Sequence, residues 1–418
     1  MVSIAGTPLV RNWRAVFKFS LGSLPNRIVY RGNTRFNSGD RGLAYQGGLR
    51  VGLTLLFHVQ LLAGTHGGPQ AVQPQGSGAL SELHWARVAS NLAGRLTPGS
   101  SDGQNRAEGG DGWISHAREF EILWRQVAAR LSRIAGWRTK HLDGIVPRHA
   151  DVFYPFGGPD AVTALTLFPE ASHYLLVGLE PVGSLPATLD VLTADYRNDL
   201  RTAFRPFALL GFFRTEDLTK YLGSRRTLDG VLPLLAASIA RLDHTVLQVS
   251  RVCLNNDEAG CREKLRNEAV AIDFADRTGN PRRLTYIRAD LADFALGHNH
   301  ELKRYLRTCA PEITLLKCAS YLLHKPYFSI LRTLILDRSR LVLQDDSGIP
   351  IRYFVQRDWS VRFYGAYEKP IPLFTQWYQP DLEAAVRRGN PEALPFKFGY
   401  SSSAETSILI LALRKQIP

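Results

Sequence analysis

Three short clusters in this 418-residue chain combine residue types that do chemistry. The first is Gly157-Gly158-Pro159-Asp160 together with Glu180, which stands 22 residues beyond Gly158. A glycine turn after a strand lets backbone approach a ligand, and an acid at the end of the next strand hydrogen-bonds ribose hydroxyls. Gly157, Gly158, Asp160 and Glu180 are therefore the candidate cofactor-binding residues. The cluster lacks the full G-x-G-x-x-G, and Pro159 occupies a position where a backbone donor would be useful. A plain tight turn with Asp160 capping a helix reads the same letters as well.

The second cluster, Lys317, Tyr321 and His324, offers an anion-binding amine and two acid–base groups. A solvated lysine beside a core-edge histidine is its bland reading. The third is Gln344-Asp345-Asp346-Ser347-Gly348. Neighbouring strand residues point to opposite faces, so Asp345 and Asp346 converge on one ligand only if the chain has already turned there, as Ser347, Gly348 and Pro350 suggest. Two turn-capping acids near Arg352 are the plain alternative. Lys317, His324, Asp345 and Asp346 are the candidate catalytic residues. His298 and His300 with Asp290 or Asp293 could together ligate a metal, but no metal is assigned. G-x-S-x-G, H-E-x-x-H and the Walker phosphate loop are absent, which removes the usual support for those hydrolase and NTPase classes.

These clusters need elements to hold them. Val152–Tyr154 reads as a strand, a helix opens at Pro159-Asp160, and Tyr174–Leu179 reads as a second strand ending on Glu180. Strand tendency recurs at 245–254, 269–274, 284–287, 313–317, 340–343, 351–355, 361–364, 396–400 and 407–413, and helical periodicity at 81–96, 189–222, 228–242, 300–307, 326–337 and 381–387. Asn255–Gly260 reads as a hairpin-like insertion with turn chemistry between the strands 245–254 and 269–274. From Trp113 the positions Trp113, Ala117, Phe120, Trp124, Val127, Leu131 and Ile134 lay one apolar stripe along a helix, placing Arg118, Arg125, Arg130 and Arg133 in water. Helices alternating with strands, and strands clustering late, predict an α/β fold: a mostly parallel sheet with an antiparallel C-terminal part and an N-terminal helical extension. The three clusters would then share the rim at the carboxyl ends of the parallel strands.

A hydrophobic content of 45% is ample for a packed core. The net charge of +13 suggests nucleic acid until it is located. Residues 1–79 hold eight basic residues against the single acid Asp40, so +7 of that charge lies outside the expected folded part. Aromatic and basic residues do not interleave in one stripe, which argues against a nucleic-acid platform. Arg50 precedes an apolar run of 13 residues, Val51–Ala63, that ends in small and polar residues. That is the layout of a signal-peptide core, with a buried element whose His58 and Gln60 are satisfied as the competing reading, and it is too short for an ordinary membrane span. Residues 1–48 are expected to be unstructured or an over-extended start, 49–79 the signal-like run and a linker, 80–145 a helical docking segment and 146–418 the α/β core. Cys253, Cys261, Cys309 and Cys318 show no zinc spacing; in an exported protein Cys253 and Cys261 could close a hairpin, and four cysteines allow three pairings.

The phrases YPFGGPD (154–160), GLEPVG (178–183), KCASYLLH (317–324) and QDDSGIP (344–350) resemble an uncharacterised family of bacterial proteins, many of them expected to be exported. The resemblance runs from about Leu80 to the C-terminus and implies no particular activity. More loosely, the element order is similar to that of Rossmann-like methyltransferases, with Glu180 in place of their ribose-binding acid. Three functions stand as expectations. One is an exported protein, periplasmic or otherwise, that binds or acts on a polar small molecule. The second is a cytoplasmic S-adenosylmethionine-dependent enzyme, and the third a non-catalytic envelope protein.

Overall fold

A computed structural model describes residues 82–95, 110–189, 191–222, 227–254, 268–309 and 311–415. The signal-like run, the linker expected after it, the Asn255–Gly260 turn and Cys261 lie outside the described residues.

Among the described residues nine strands form one sheet: β1 (Asp151–Pro155), β2 (His173–Gly178), β3 (Thr245–Arg251), β4 (Ala269–Ala275), β5 (Pro281–Arg288), β6 (Ile313–Leu316), β7 (Leu341–Gln344), β8 (Trp359–Gly365) and β9 (Ile408–Arg414). Their order is β3-β4-β5-β2-β1-β6-β7-β9-β8. The central five, β5-β2-β1-β6-β7, are parallel. Both edges are antiparallel, with β3 and β4 on one side and β9 and β8 on the other. The expected antiparallel C-terminal part is present as β9 and β8, whereas the expectation of a mostly parallel sheet is corrected to a mixed one, because β3 and β4 make the other edge antiparallel too. The local cause is visible at β4–β5. Asp276 accepts from the Thr278 and Asn280 backbone N–H groups, closing a turn far too short for the crossover that a parallel pair requires.

The helices are α1 (Glu82–Leu92), α2 (Gly110–His141), α3 (Ala161–Leu167), α4 (Ala194–Leu210), α5 (Thr215–Tyr221), α6 (Leu232–Arg241), α7 (Asp293–His298), α8 (His300–Cys309), α9 (Ser329–Arg338) and α10 (Pro380–Gly389). They cover both sheet faces. Val152 and Tyr154 of β1 pack into a core with α1, α2, α3, α4 and α6, whereas Phe153 between them joins a second core with α7, α8 and α9. A strand buried on both sides must be apolar at every position, which is why the central strands read as continuous apolar runs rather than alternations. No helix among the described residues is long and apolar enough to cross a membrane.

The stripe on α2 is as expected, with Phe120, Val127, Leu131 and Ile134 buried and Trp113 and Trp124 packed against them. Arg130 departs from expectation. Its guanidinium lies 5.3 Å from the Phe207 ring centre and donates to the Phe207 and Ala208 carbonyls at the end of α4. A cation at a helix C-terminus meets orphan carbonyls and the negative end of the dipole, which outweighs the stripe's prediction of solvent. The expected helix over 189–222 is broken at Gly211 (φ +87°), the left-handed cap of α4. Pro326 opens a 3-10 turn rather than α9, and Ile351–Tyr353 is 3-10 rather than strand. Residues 396–400 form no strand: Pro395 precedes them, Gly399 interrupts them, and Phe396 and Phe398 are buried without ladder pairing.

Candidate functional site

The chain leaves β1, builds outward through β2 and β5, then crosses back to β6 and β7. The order therefore reverses between β1 and β6, and the three sequence clusters stand at the carboxyl ends of the strands on either side of that point. They touch. The backbone N–H of Gly158 reaches the Val177 carbonyl of β2 at 3.4 Å, and a side chain at Gly158 (φ +53°) would lie 3.3 Å from the Glu180 carboxylate. Lys317 after β6 pairs with Asp160 after β1 at 2.5 Å. The Cys318 N–H donates to Asp345 after β7 at 2.9 Å.

Most of these charged groups are committed to one another. Asp160 caps α3 through the Thr163 N–H and accepts from the Tyr154 hydroxyl, both at 3.0 Å. Lys317 directs its three donors to Asp160, the Thr163 hydroxyl and the Gly211 carbonyl. Its side chain is 5% exposed and that of Asp160 2%, so the pair closes the crevice at the reversal point rather than lining an open one. Glu180 is buried, with Tyr286 donating to its carboxylate at 3.3 Å and to its backbone carbonyl at 3.0 Å. Asp345 accepts from the Ser347 hydroxyl and N–H as well as from Cys318, stitching the β7 turn to the β6 turn. Burial pushes its carboxyl above the usual range, and those hydrogen bonds oppose the push.

Asp346 is different. The turn that sequence reasoning required after β7 is present, and it leaves this carboxyl only partly buried. Its recorded side-chain partner is the Tyr321 hydroxyl, and no cation pairs with it among the described residues. Burial, then the neighbouring Asp345, pushes its carboxyl up to about 7. Tyr321 also meets the His324 ring edge-on at 5.1 Å, and His324 packs against Trp377 at 5.6 Å. His324 is held down at about 4 by burial and the positive field of Arg352, so its imidazole is neutral near pH 7; its Nε2 is buried with no protein partner.

The backbone around these groups is strained. Among the described non-glycine residues with positive φ, Phe156 lies in the turn after β1, and Cys318, Ser320 and Tyr321 lie in the turn after β6. Such conformations cost about 1–3 kcal/mol each and persist only where surrounding contacts enforce them. Sequence reasoning did not find the supporting aromatic wall of Phe374, Trp377 and Tyr400, whose members pack on Tyr321 or on one another. Tyr400 further ties the strained turn by donating to the Cys318 carbonyl at 2.8 Å. No local signal marks these residues, because Phe374 and Trp377 come from the short 3-10 helix Pro372–Trp377 and Tyr400 from a turn, too short for a periodicity to show. Gly399 (φ +67°) is the closest approach, since a side chain there would sit 2.8 Å from the Asp345 Cβ. Gly399→Ala is expected to cost about 1–3 kcal/mol, read as a lowered urea midpoint.

The metal candidates do not converge. Asp293 caps α9 through Ser329 and Ile330, Asp290 accepts from the Ala292 N–H, and His298 bonds the Phe294 carbonyl. No group of three metal-ligating side chains occurs among the described residues. Cys253 is disulfide-bonded, whereas Cys309 and Cys318 are free. No protein-family model matches the chain, and a search of curated proteins finds none significantly similar to it.

Proposed function

We propose that this chain is an exported protein with a Rossmann-like core that binds a polar small molecule above β6 and β7 and exchanges a proton with it through Asp346. The observation that carries the reading is the near-neutral carboxyl of Asp346, held by Tyr321 beside a neutral His324. A group with a value near the working pH is present in both protonation states and serves as acid or base. Asp345 acts as a positioning residue, since its three hydrogen bonds fix the turn that presents Asp346. The parallel order β5-β2-β1-β6-β7 corresponds to strands 3-2-1-4-5 of a doubly wound sheet, where ligands sit beyond the carboxyl ends. The disulfide at Cys253 supports an oxidising compartment.

The test is mass spectrometry of the native protein released from intact host cells, beside an Asp346→Asn variant that keeps the shape and loses the proton exchange. A polar molecule is expected with the native protein and not with the variant. Its equal retention by both, or a chain that stays uncut in the cytoplasm, would refute the reading.

Glu180 beside the Gly158 turn favours a second reading, an S-adenosylmethionine-binding site with Glu180 on the ribose. Titration calorimetry with that cofactor decides it. Saturable binding lost in Glu180→Ala supports the cofactor site, and no heat sets it aside.

A further inference from the structure

Away from the rim, on the opposite sheet face from α2, a cavity of about 450 Å³ opens between α8 and α9 with Leu296 of α7 at one end. That volume falls in the range of small-molecule sites, roughly 300–1,000 Å³. Leu296 and Leu306 form a buried apolar floor with Ile330 and Leu334 beside them. Three cations, Lys303, Arg307 and Arg338, line the same cavity with one acid, Asp337, and none of the three has an ion-pair partner among the described residues.

The two ends of the groove differ in chemistry. α8 and α9 each run directly into the neighbouring parallel strands β6 and β7, so the helices point the same way along the groove. Arg307 and Arg338 therefore stand together at one end, while Leu296 and Ile330 lie at the other. Near that second end Phe294 is 78% exposed and Tyr327 51%. Asp293, adjacent to Phe294, caps Ser329 and Ile330, which holds α7 against the start of α9. Each arginine alone complements the dipole of its own helix, an ordinary arrangement. Two of them facing one groove with Lys303, against a single carboxylate, leave an uncompensated positive end that the dipole does not require.

We infer that this groove is a binding site for a single-chain anionic amphiphile, its carboxylate or other anionic head between Arg307, Arg338 and Lys303 and its tail over Leu306, Leu334 and Ile330. Charge complementarity selects the head, and the apolar floor between the two helices takes the tail. The site is independent of the chemistry proposed at Asp346.

Titration calorimetry of the disulfide-intact protein with dodecanoate below its aggregation concentration tests the inference. Saturable one-to-one binding is expected, with butyrate silent and dodecyltrimethylammonium at least as weak as butyrate. Arg307→Glu with Arg338→Glu, both solvent-facing, should weaken dodecanoate by about tenfold or more, since two charge-assisted contacts to the head are lost at once. Thr333→Trp, an exposed position that fills the groove without altering charge, should block binding while circular dichroism stays unchanged. Absence of saturable binding, equal binding by the charge-reversed protein, or binding only to anionic phospholipid vesicles and not to dodecanoate would overturn it.

Discussion

Replacing Lys317 by Met should lower unfolding free energy by about 3–5 kcal/mol, because it strands the buried Asp160 carboxylate without its cation. Asp160 would keep the Tyr154 hydroxyl and the Thr163 N–H, but two neutral donors do not replace a charge in a site this dry. The Gly211 carbonyl would lose a donor at the same time, loosening the end of α4. Urea unfolding at constant slope is the measurement. Lys317→Met combined with Asp160→Asn should recover most of the loss, since Asn still caps α3 and no charge remains buried. A single variant as stable as the native protein would show that the crevice between β1 and β6 is wetter than its geometry indicates. The functional consequence is that Lys317, a candidate catalytic residue by sequence, is a structural clamp across the rim. It leaves the proton exchange proposed above to Asp346.

The second expectation concerns pH. An aspartate in the unfolded chain ionises near about 3.9, and Asp346 in the folded protein is pushed up to about 7. The folded state thus holds a proton that the unfolded state has released. Its contribution to stability is complete below the unfolded value and is lost as pH rises through 7. Asp345, raised by the same burial, acts in the same direction. Asp346→Asn removes the term. The variant should match the native protein near pH 4 and exceed it by about 1–3 kcal/mol at pH 8, after allowance for partial exposure. Chemical denaturation across that range reads both values. A native profile parallel to that of the variant would mean that Asp346 ionises normally. Keeping a carboxylate at a net cost in stability is what a functional site does. The same substitution that stabilises the fold should abolish ligand retention.

How much of this was legible beforehand follows from the range of the forces involved. The apolar runs of β1, β2, β6 and β7 announce themselves, because a doubly buried strand must be apolar along its length. The Asp160 cap and the turn after Asp345 are also local, each a side chain bonding backbone two or three residues away. Those features located all three clusters and the α/β class of the fold. Pairing direction was less accessible. The antiparallel pairing of β3 with β4 agrees with the turn chemistry read between them, but nothing within that hairpin states that it docks beside β5.

What composition and spacing determined, then, was the set of polar residues at strand ends and the elements beneath them. Only the tertiary structure decided which of those residues neutralise each other. Lys317 and Asp160 are separated by 157 positions and meet because β6 pairs with β1; Tyr321 reaches Asp346 because β7 pairs with β6. Burial and Coulomb fields act through space rather than along the chain, so the same two letters in Asp345-Asp346 become a buried peg and a near-neutral acid only once the sheet has closed around them.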